Sequence, residues 1–285
     1  MNQATDFVTQ VKDDVRRALL EDVGSGDLTA GLIERTRQAS ATIICREAAI
    51  ICGQPWVMEV LHQLAPEAHV RWQVEDGQRC SPGQVILSLQ GCAREILTAE
   101  RTCLNFLQTL SAVATQTARY VDAAQGTQAA IVDTRKTLPG LRVAQKYAVR
   151  CGGGKNHRMG LFDAVLIKEN HIAAAGSLTQ AVQAAKTLAA QATFIEVEVE
   201  TLSQLDEALR AGASMILLDN MPLPMLREAV QRNQGRAVLE ISGGVNLDSV
   251  RDLAQTGVDR ISVGALTKDI KAIDFSMRFQ DKPVE

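Results

Sequence analysis

Apolar residues recur at helical spacing near the start of the chain, where Phe7, Val8, Val11, Val15 and Leu19 share one side of an amphipathic helix. Two alternating stretches follow, Val70, Trp72, Val74 and then Val85, Leu87, Leu89. Asp76-Gly77 and Pro82-Gly83 supply turn chemistry between them, which predicts a hairpin or meander. Residues 98–120 form a helical stretch with no charge between Arg101 and Arg119, its most apolar side marked by Leu104, Leu107, Leu110 and Ala114. A helix so poor in charge is expected to be buried, between domains or against another subunit.

Beyond it the pattern becomes a repeating strand and helix. Short Ile/Val/Leu-rich strands are predicted at 130–133, 164–167, 194–199, 215–218, 238–241 and 260–263. Helical segments such as 178–190 and 202–211 separate most of them. That alternation implies parallel pairing with right-handed crossovers. Six strands, with a seventh that the pattern does not place, suggest a closed or nearly closed β/α barrel. Periodicity does not decide closure, so a doubly wound open sheet is the alternative. The change of pattern divides the chain into an α/β domain over 1–110, rejoined by 270–285, and a barrel domain over 111–269.

Composition narrows the classes. The chain has 285 residues with 46% hydrophobic and 22% charged, ordinary for a globular protein. Aromatics are only 4%, so Ala, Val, Ile and Leu must build the core, which suits helices packed on a buried parallel sheet. A net charge of −3 argues against general nucleic-acid or membrane-surface binding. No apolar run is long enough to span a membrane, and the first residues carry no secretory pattern, so a cytoplasmic protein is expected. The six cysteines form no C-x-x-C pair and read as reduced thiols.

Chemistry collects at the strand ends, where β/α barrels place their active sites. The predicted strands lead into Asp133-Thr134-Arg135-Lys136, Lys168-Glu169-Asn170-His171, Asp219-Asn220, Ser242-Gly243-Gly244 and Val263-Gly264-Ala265. The remaining strand carries Glu196, Glu198 and Glu200 on one face. Between Asp133 and His171 lie eight Lys or Arg against three acids, in a chain that is negative overall. Arg142, Lys146 and Arg150 fall at helical spacing and read as a solvated basic face. Arg135, Lys136, His157, Arg158 and Lys168 sit at strand ends or beside Gly152-Gly153-Gly154, where converging cations need a polyanionic ligand. Opposite them, Glu198 and Asp219 suggest Mg²⁺ shared with substrate phosphate oxygens, with a glycosidase-like acid/base pair as the rival. The two glycine pairs at the last strand ends let backbone N–H groups approach a phosphate.

In order along the chain, Glu100-Arg101-Thr102-Cys103-Leu104-Asn105, Asp133-Thr134-Arg135-Lys136-Thr137, Gly152-Gly153-Gly154-Lys155-Asn156-His157-Arg158, Leu166-Ile167-Lys168-Glu169-Asn170-His171, Glu196-Val197-Glu198-Val199-Glu200, Leu218-Asp219-Asn220 and Ser242-Gly243-Gly244-Val245 resemble the motifs of the quinolinate phosphoribosyltransferases. The resemblance implies an N-terminal α/β sandwich and an incomplete, seven-stranded parallel β/α barrel. It implies transfer of a phosphoribosyl group from phosphoribosyl diphosphate to quinolinate with loss of CO₂. Arg135, His157, Arg158 and Lys168 would hold the quinolinate carboxylates, with Thr134 and Lys136 beside them, and Arg101 would reach in from the partner of a homodimer. Glu198 and Asp219 would serve the magnesium–diphosphate–ribose end, and Ser242, Gly243, Gly244, Val263, Gly264 and Ala265 would bind the 5′-phosphate. Lys136, Lys168, Glu198 and Asp219 form the expected catalytic set. Ile241 and Lys268-Asp269 depart from many relatives, which carry Ala and His-Ser there, so no role is expected of them.

Overall fold

A computed structural model describes residues 3–188 and 192–280. Residues 189–190 of the expected helix 178–190, and 281–285 of the expected C-terminal segment, lie outside the described residues. In chain order the elements are α1 (Gln3–Asp22), β1 (Gln38–Cys45), β2 (Ala49–Ile50), α2 (Gln54–Leu64), β3 (His69–Trp72), β4 (Arg79–Cys80), β5 (Val85–Cys92), α3 (Ala93–Ala124), β6 (Ala130–Val132), α4 (Arg142–Cys151), β7 (Val165–Ile167) and α5 (Glu169–Ala175). They continue as α6 (Leu178–Leu188), β8 (Ile195–Val199), α7 (Leu202–Arg210), β9 (Met215–Asp219), α8 (Leu223–Asn233), β10 (Val238–Ser242), α9 (Val250–Ala254), β11 (Arg260–Ser262), α10 (Ala265–Lys268) and β12 (Phe275–Gln280). None of the described helices is long and apolar enough to cross a membrane.

The chain forms two compact units, one of residues 1–116, 138–153 and 269–285, the other of 117–137 and 154–268. The first holds a four-stranded antiparallel sheet ordered β12-β1-β5-β3 and a two-stranded sheet of β2 and β4. The expected meander is realised with a detour. β3 pairs directly with β5, His69 opposite Gln90 and Trp72 opposite Leu87, while β4 leaves to pair with β2. Two of the polar but uncharged residues of α3 serve the backbone in and beside that small sheet. Ser111 accepts the N–H of Cys52 at 3.0 Å, and Thr115 that of Ile50 at 2.8 Å, satisfying buried backbone that a Leu would leave bare. All six cysteines are free thiols.

Residues 138–153 belong to the first unit, into which α4 packs. Its Tyr147 joins Phe7, Trp56 and the stacked Phe106 in an aromatic cluster, with ring centroids 5.3 Å from Phe7 and 5.4 Å from Trp56. Its hydroxyl also donates to Asp76 at 2.8 Å. That packing overturns the solvated-face reading at Lys146, which is 1% exposed and lies among buried Ala144, Gln145, Ala148 and Val149.

The second unit is a parallel six-stranded sheet ordered β6-β11-β10-β9-β8-β7. The last strand therefore lies beside the first, Val132 opposite Ser262, the ordering of a barrel rather than of a doubly wound sheet. The strand that hydropathy does not place is reduced to one residue: Lys155 makes a single parallel bridge with Val132 on the free side of β6. Seven positions follow one another round the ring, with the break between Lys155 and β7. Each strand stops within a residue or so of its expected end.

Candidate active site

The strand ends of the second unit bring most of the expected residues together. Asp133 follows β6 and is fully buried. Its Oδ1 accepts the N–H of His157 at 2.9 Å and its Oδ2 accepts Asn156 Nδ2 at 2.6 Å, which clamps the Gly-rich segment against the first strand. Sequence reasoning named Asp133 only as a strand end; a carboxylate directly after a run of buried Ile and Val was the available signal.

Thr134, Arg135 and Lys136 continue from that end. Thr134 Oγ1 accepts the N–H of Lys136 at 3.0 Å, and the Lys136 carbonyl accepts from Thr267 at 2.8 Å. The stem of Lys136 lies across Gly264, where an added Cβ would stand 3.0 Å from its Cδ. The first and last strand ends thus touch through the glycine that follows Val263. Gly243 is constrained more tightly, since its φ of +99° and an Asn220 Oδ1 only 2.0 Å from any Cβ exclude other residues. Asn220 in turn donates to the Ser242 carbonyl at 3.0 Å and to Asp219 Oδ2 at 2.7 Å. Gly244 and Ala265 flank these turns with open or half-buried backbone.

Two carboxylates and one ammonium occupy the neighbouring ends. Lys168 Nζ is 2.9 Å from Glu198 Oε2. Burial and then the charge of Glu198 push the Asp219 carboxyl above its ordinary value. Hard oxygen donors that repel each other fit a divalent cation such as Mg²⁺. On the cationic side, burial and then the neighbouring Arg135 lower Arg158. Two guanidiniums that disfavour one another favour a carboxylate between them. Arg101 lies in the first unit, exposed on α3.

His157 is turned toward two buried acids. Its side chain is 7% exposed, with Nε2 at 2.9 Å from Glu196 Oε2 and 3.5 Å from Glu240 Oε1. Nδ1 accepts the N–H of Arg158 at 2.8 Å. Arg260 Nε completes the group at 2.8 Å from Glu240. Glu196, one of the three carboxylates on the face of its strand, meets His157. Glu240 and Arg260 were missed, although a charged residue inside Val238-Leu239-Glu240-Ile241 is the kind of break in an apolar strand that marks an inward polar group. Burial drives Glu196 up to about 7, opposed by Arg260 and Arg158. Burial and then the charge of Glu196 drive Glu240 up to about 7 as well.

Comparison with known proteins gives one family. The quinolinate phosphoribosyl transferase N-terminal domain matches residues 27–111 and the C-terminal domain of the same family matches 113–278. The nicotinate-nucleotide pyrophosphorylase [carboxylating] of Mycobacterium leprae is 45% identical over 93% of this chain and 96% of its own length. A probable enzyme of the same name from Bacillus subtilis is 41% identical over 94% and 93%. The solved nicotinate-nucleotide pyrophosphorylase of Francisella tularensis superimposes with a TM-score of 0.92 at 46% identity, covering 96% of this chain and 97% of that one.

Proposed function

This chain belongs to the quinolinate phosphoribosyltransferase family, and we infer that it transfers the phosphoribosyl group of phosphoribosyl diphosphate to quinolinate, releasing diphosphate and CO₂ and giving nicotinate mononucleotide for de novo NAD synthesis. The observation that carries the substrate is the cationic side of the barrel, where Arg158 lies in the field of Arg135 while Lys168 stands opposite Glu198. A monocarboxylate would leave such a wall in excess of positive charge; a dicarboxylate matches it.

On this reading Arg135, Arg158 and Lys168 hold the two carboxylates and set the ring nitrogen toward the ribose C1. Lys136, lying across Gly264, neutralises diphosphate as it departs. Ser242, Gly243, Gly244 and the Val263-Gly264-Ala265 turn receive the 5′-phosphate through main-chain N–H groups. Glu198 and Asp219 would hold Mg²⁺, which when bound supplies positive charge to the leaving group. The C1–O bond breaks as the C1–N bond forms. The ring nitrogen becomes cationic and stabilises, as an ylide, the electron pair left on the adjacent carbon when its carboxylate departs as CO₂; that carbon then takes a proton from water. Positioning and electrostatics thus carry the chemistry, with no covalent enzyme intermediate. Arg101, exposed on α3, would enter the pocket of a second copy in a homodimer working in the cytoplasm.

The deciding assay measures CO₂ and diphosphate released from quinolinate, phosphoribosyl diphosphate and Mg²⁺, beside a nicotinate control. Turnover of nicotinate in preference to quinolinate would overturn the substrate, and no diphosphate from either would overturn the reaction.

A further inference from the structure

The interior of the barrel carries charge that the transfer reaction does not use. His157 after the Lys155 bridge, Glu196 of β8, Glu240 of β10 and Arg260 of β11 meet there, from positions that are not all neighbours in the sheet. Both glutamates are fully buried. Barrel interiors are ordinarily filled by Val, Ile and Leu, and burying ionised groups is costly even when they are paired. The constellation resembles a His-Glu-Glu metal site, but Arg260 already stands 2.8 Å from Glu240 where a cation would sit. Among the described residues, no hydrogen bond reaches Oε1 of Glu196, so that carboxylate spends its one contact on the imidazole.

We propose that Glu196 is a positioning residue for the carboxylate-binding wall: it holds His157 as the Nε2–H tautomer, and His157 in turn holds the main chain of Arg158. The inference deepens the reading above and rests on it. With Nε2–H donating to Glu196, Nδ1 is left as the acceptor that receives the Arg158 N–H at 2.8 Å. Asp133 fixes the N–H of His157 itself at 2.9 Å. Phe194 closes the ring's free side edge-on, with centroids 5.2 Å apart. The Arg158 side chain therefore starts from backbone held on both sides, and its Nη1 is steadied by the Ala164 carbonyl at 3.2 Å. His157 acts through its neighbour rather than as a cationic hand on the substrate. The relation is that of a carboxylate behind a metal-ligating imidazole, where removing the outer partner costs about 10–100-fold.

Two measurements test this. In long-range ¹H–¹⁵N spectra the chain's four histidines are resolved and His157 is assigned by its loss in His157→Gln. It should show a protonated Nε2 and a bare Nδ1, unchanged when quinolinate is added. A protonated Nδ1, or a proton moved by quinolinate, overturns the proposal, and the reading is made on the unsubstituted protein. In kinetics, Glu196→Leu should raise KM for quinolinate at least ~10-fold while KM for phosphoribosyl diphosphate moves less than about 2-fold. Glu196→Gln, which keeps an acceptor for Nε2–H, should return it to within about 3-fold of the unsubstituted protein. Equal damage by both substitutions, or both Michaelis constants rising together, would indicate a core defect and overturn the positioning role. CO₂ release by the unsubstituted protein in the same run separates a failure of this inference from a failure of the reaction assignment.

Discussion

Lys168 and Glu198 face each other across adjacent strand ends at 2.9 Å, so the ammonium proposed to hold a substrate carboxylate pairs with the carboxylate proposed to hold Mg²⁺. The Lys168 side chain is 48% exposed, and such a pair contributes little to stability. Its value lies in placement. Lys168→Met should leave the melting temperature within about 2 °C, yet lower kcat/KM for quinolinate at least ~10²-fold, checked by calorimetry beside the CO₂ assay.

Arg135→Lys should lose at least ~10²-fold in kcat/KM for quinolinate, because a forked, bidentate grip becomes a single point contact. Kinetics close to those of the unsubstituted protein would remove Arg135 from the carboxylate wall.

A shared pocket predicts complementation. Arg101→Ala and Lys136→Ala chains, each inactive alone, should regain activity when mixed under conditions that allow exchange, approaching about one quarter of normal if one intact pocket per mixed dimer suffices. Proven heterodimers without recovery would place Arg101 outside the site.

The barrel interior gives stability a pH dependence of definite sign. Burial raises the Glu240 carboxyl from 4.5 to about 7, so the folded protein holds this proton where the unfolded chain has lost it. Its favourable share is complete below the unfolded value and is lost as pH rises through the folded one. Glu240→Gln should therefore gain relative to the unsubstituted protein between pH 5 and pH 8, by a few degrees in melting temperature at ~2–4 °C per kcal/mol. A constant difference across that range would contradict the assignment.

Asp76 caps α2 from a distance, accepting the N–H groups of Gly53 at 2.9 Å and Gln54 at 3.2 Å while Tyr147 donates to it at 2.8 Å. Asp76→Ala should cost about 1–3 kcal/mol, as three part-buried donors lose one acceptor together. Urea unfolding followed by circular dichroism would measure it.

The strands and their chemical ends were legible because apolar runs in this barrel stop abruptly at charged or glycine residues. The seventh strand was not, since Lys155 contributes one bridge and no apolar run. Lys146 was misread because helical spacing reports a face without saying what covers it; here a long stem lies among buried Ala and Val. Orientation was the other blind spot. Sequence placed His157 beside Arg158 correctly, but only the fold shows its ring turned toward Glu196 and Glu240.

The pairing of first strands with last ones has a consequence for synthesis. Val132 meets Ser262 to join the first strand to the last, and Ser40 meets Gln280 to complete the antiparallel sheet. Both partnerships span most of their unit, and such long-range closures are slow. A nascent chain can therefore finish neither unit until its late strands have left the ribosome. Until then β1 and β6 each wait with an open edge, and it is in that interval that chaperones would find something to hold.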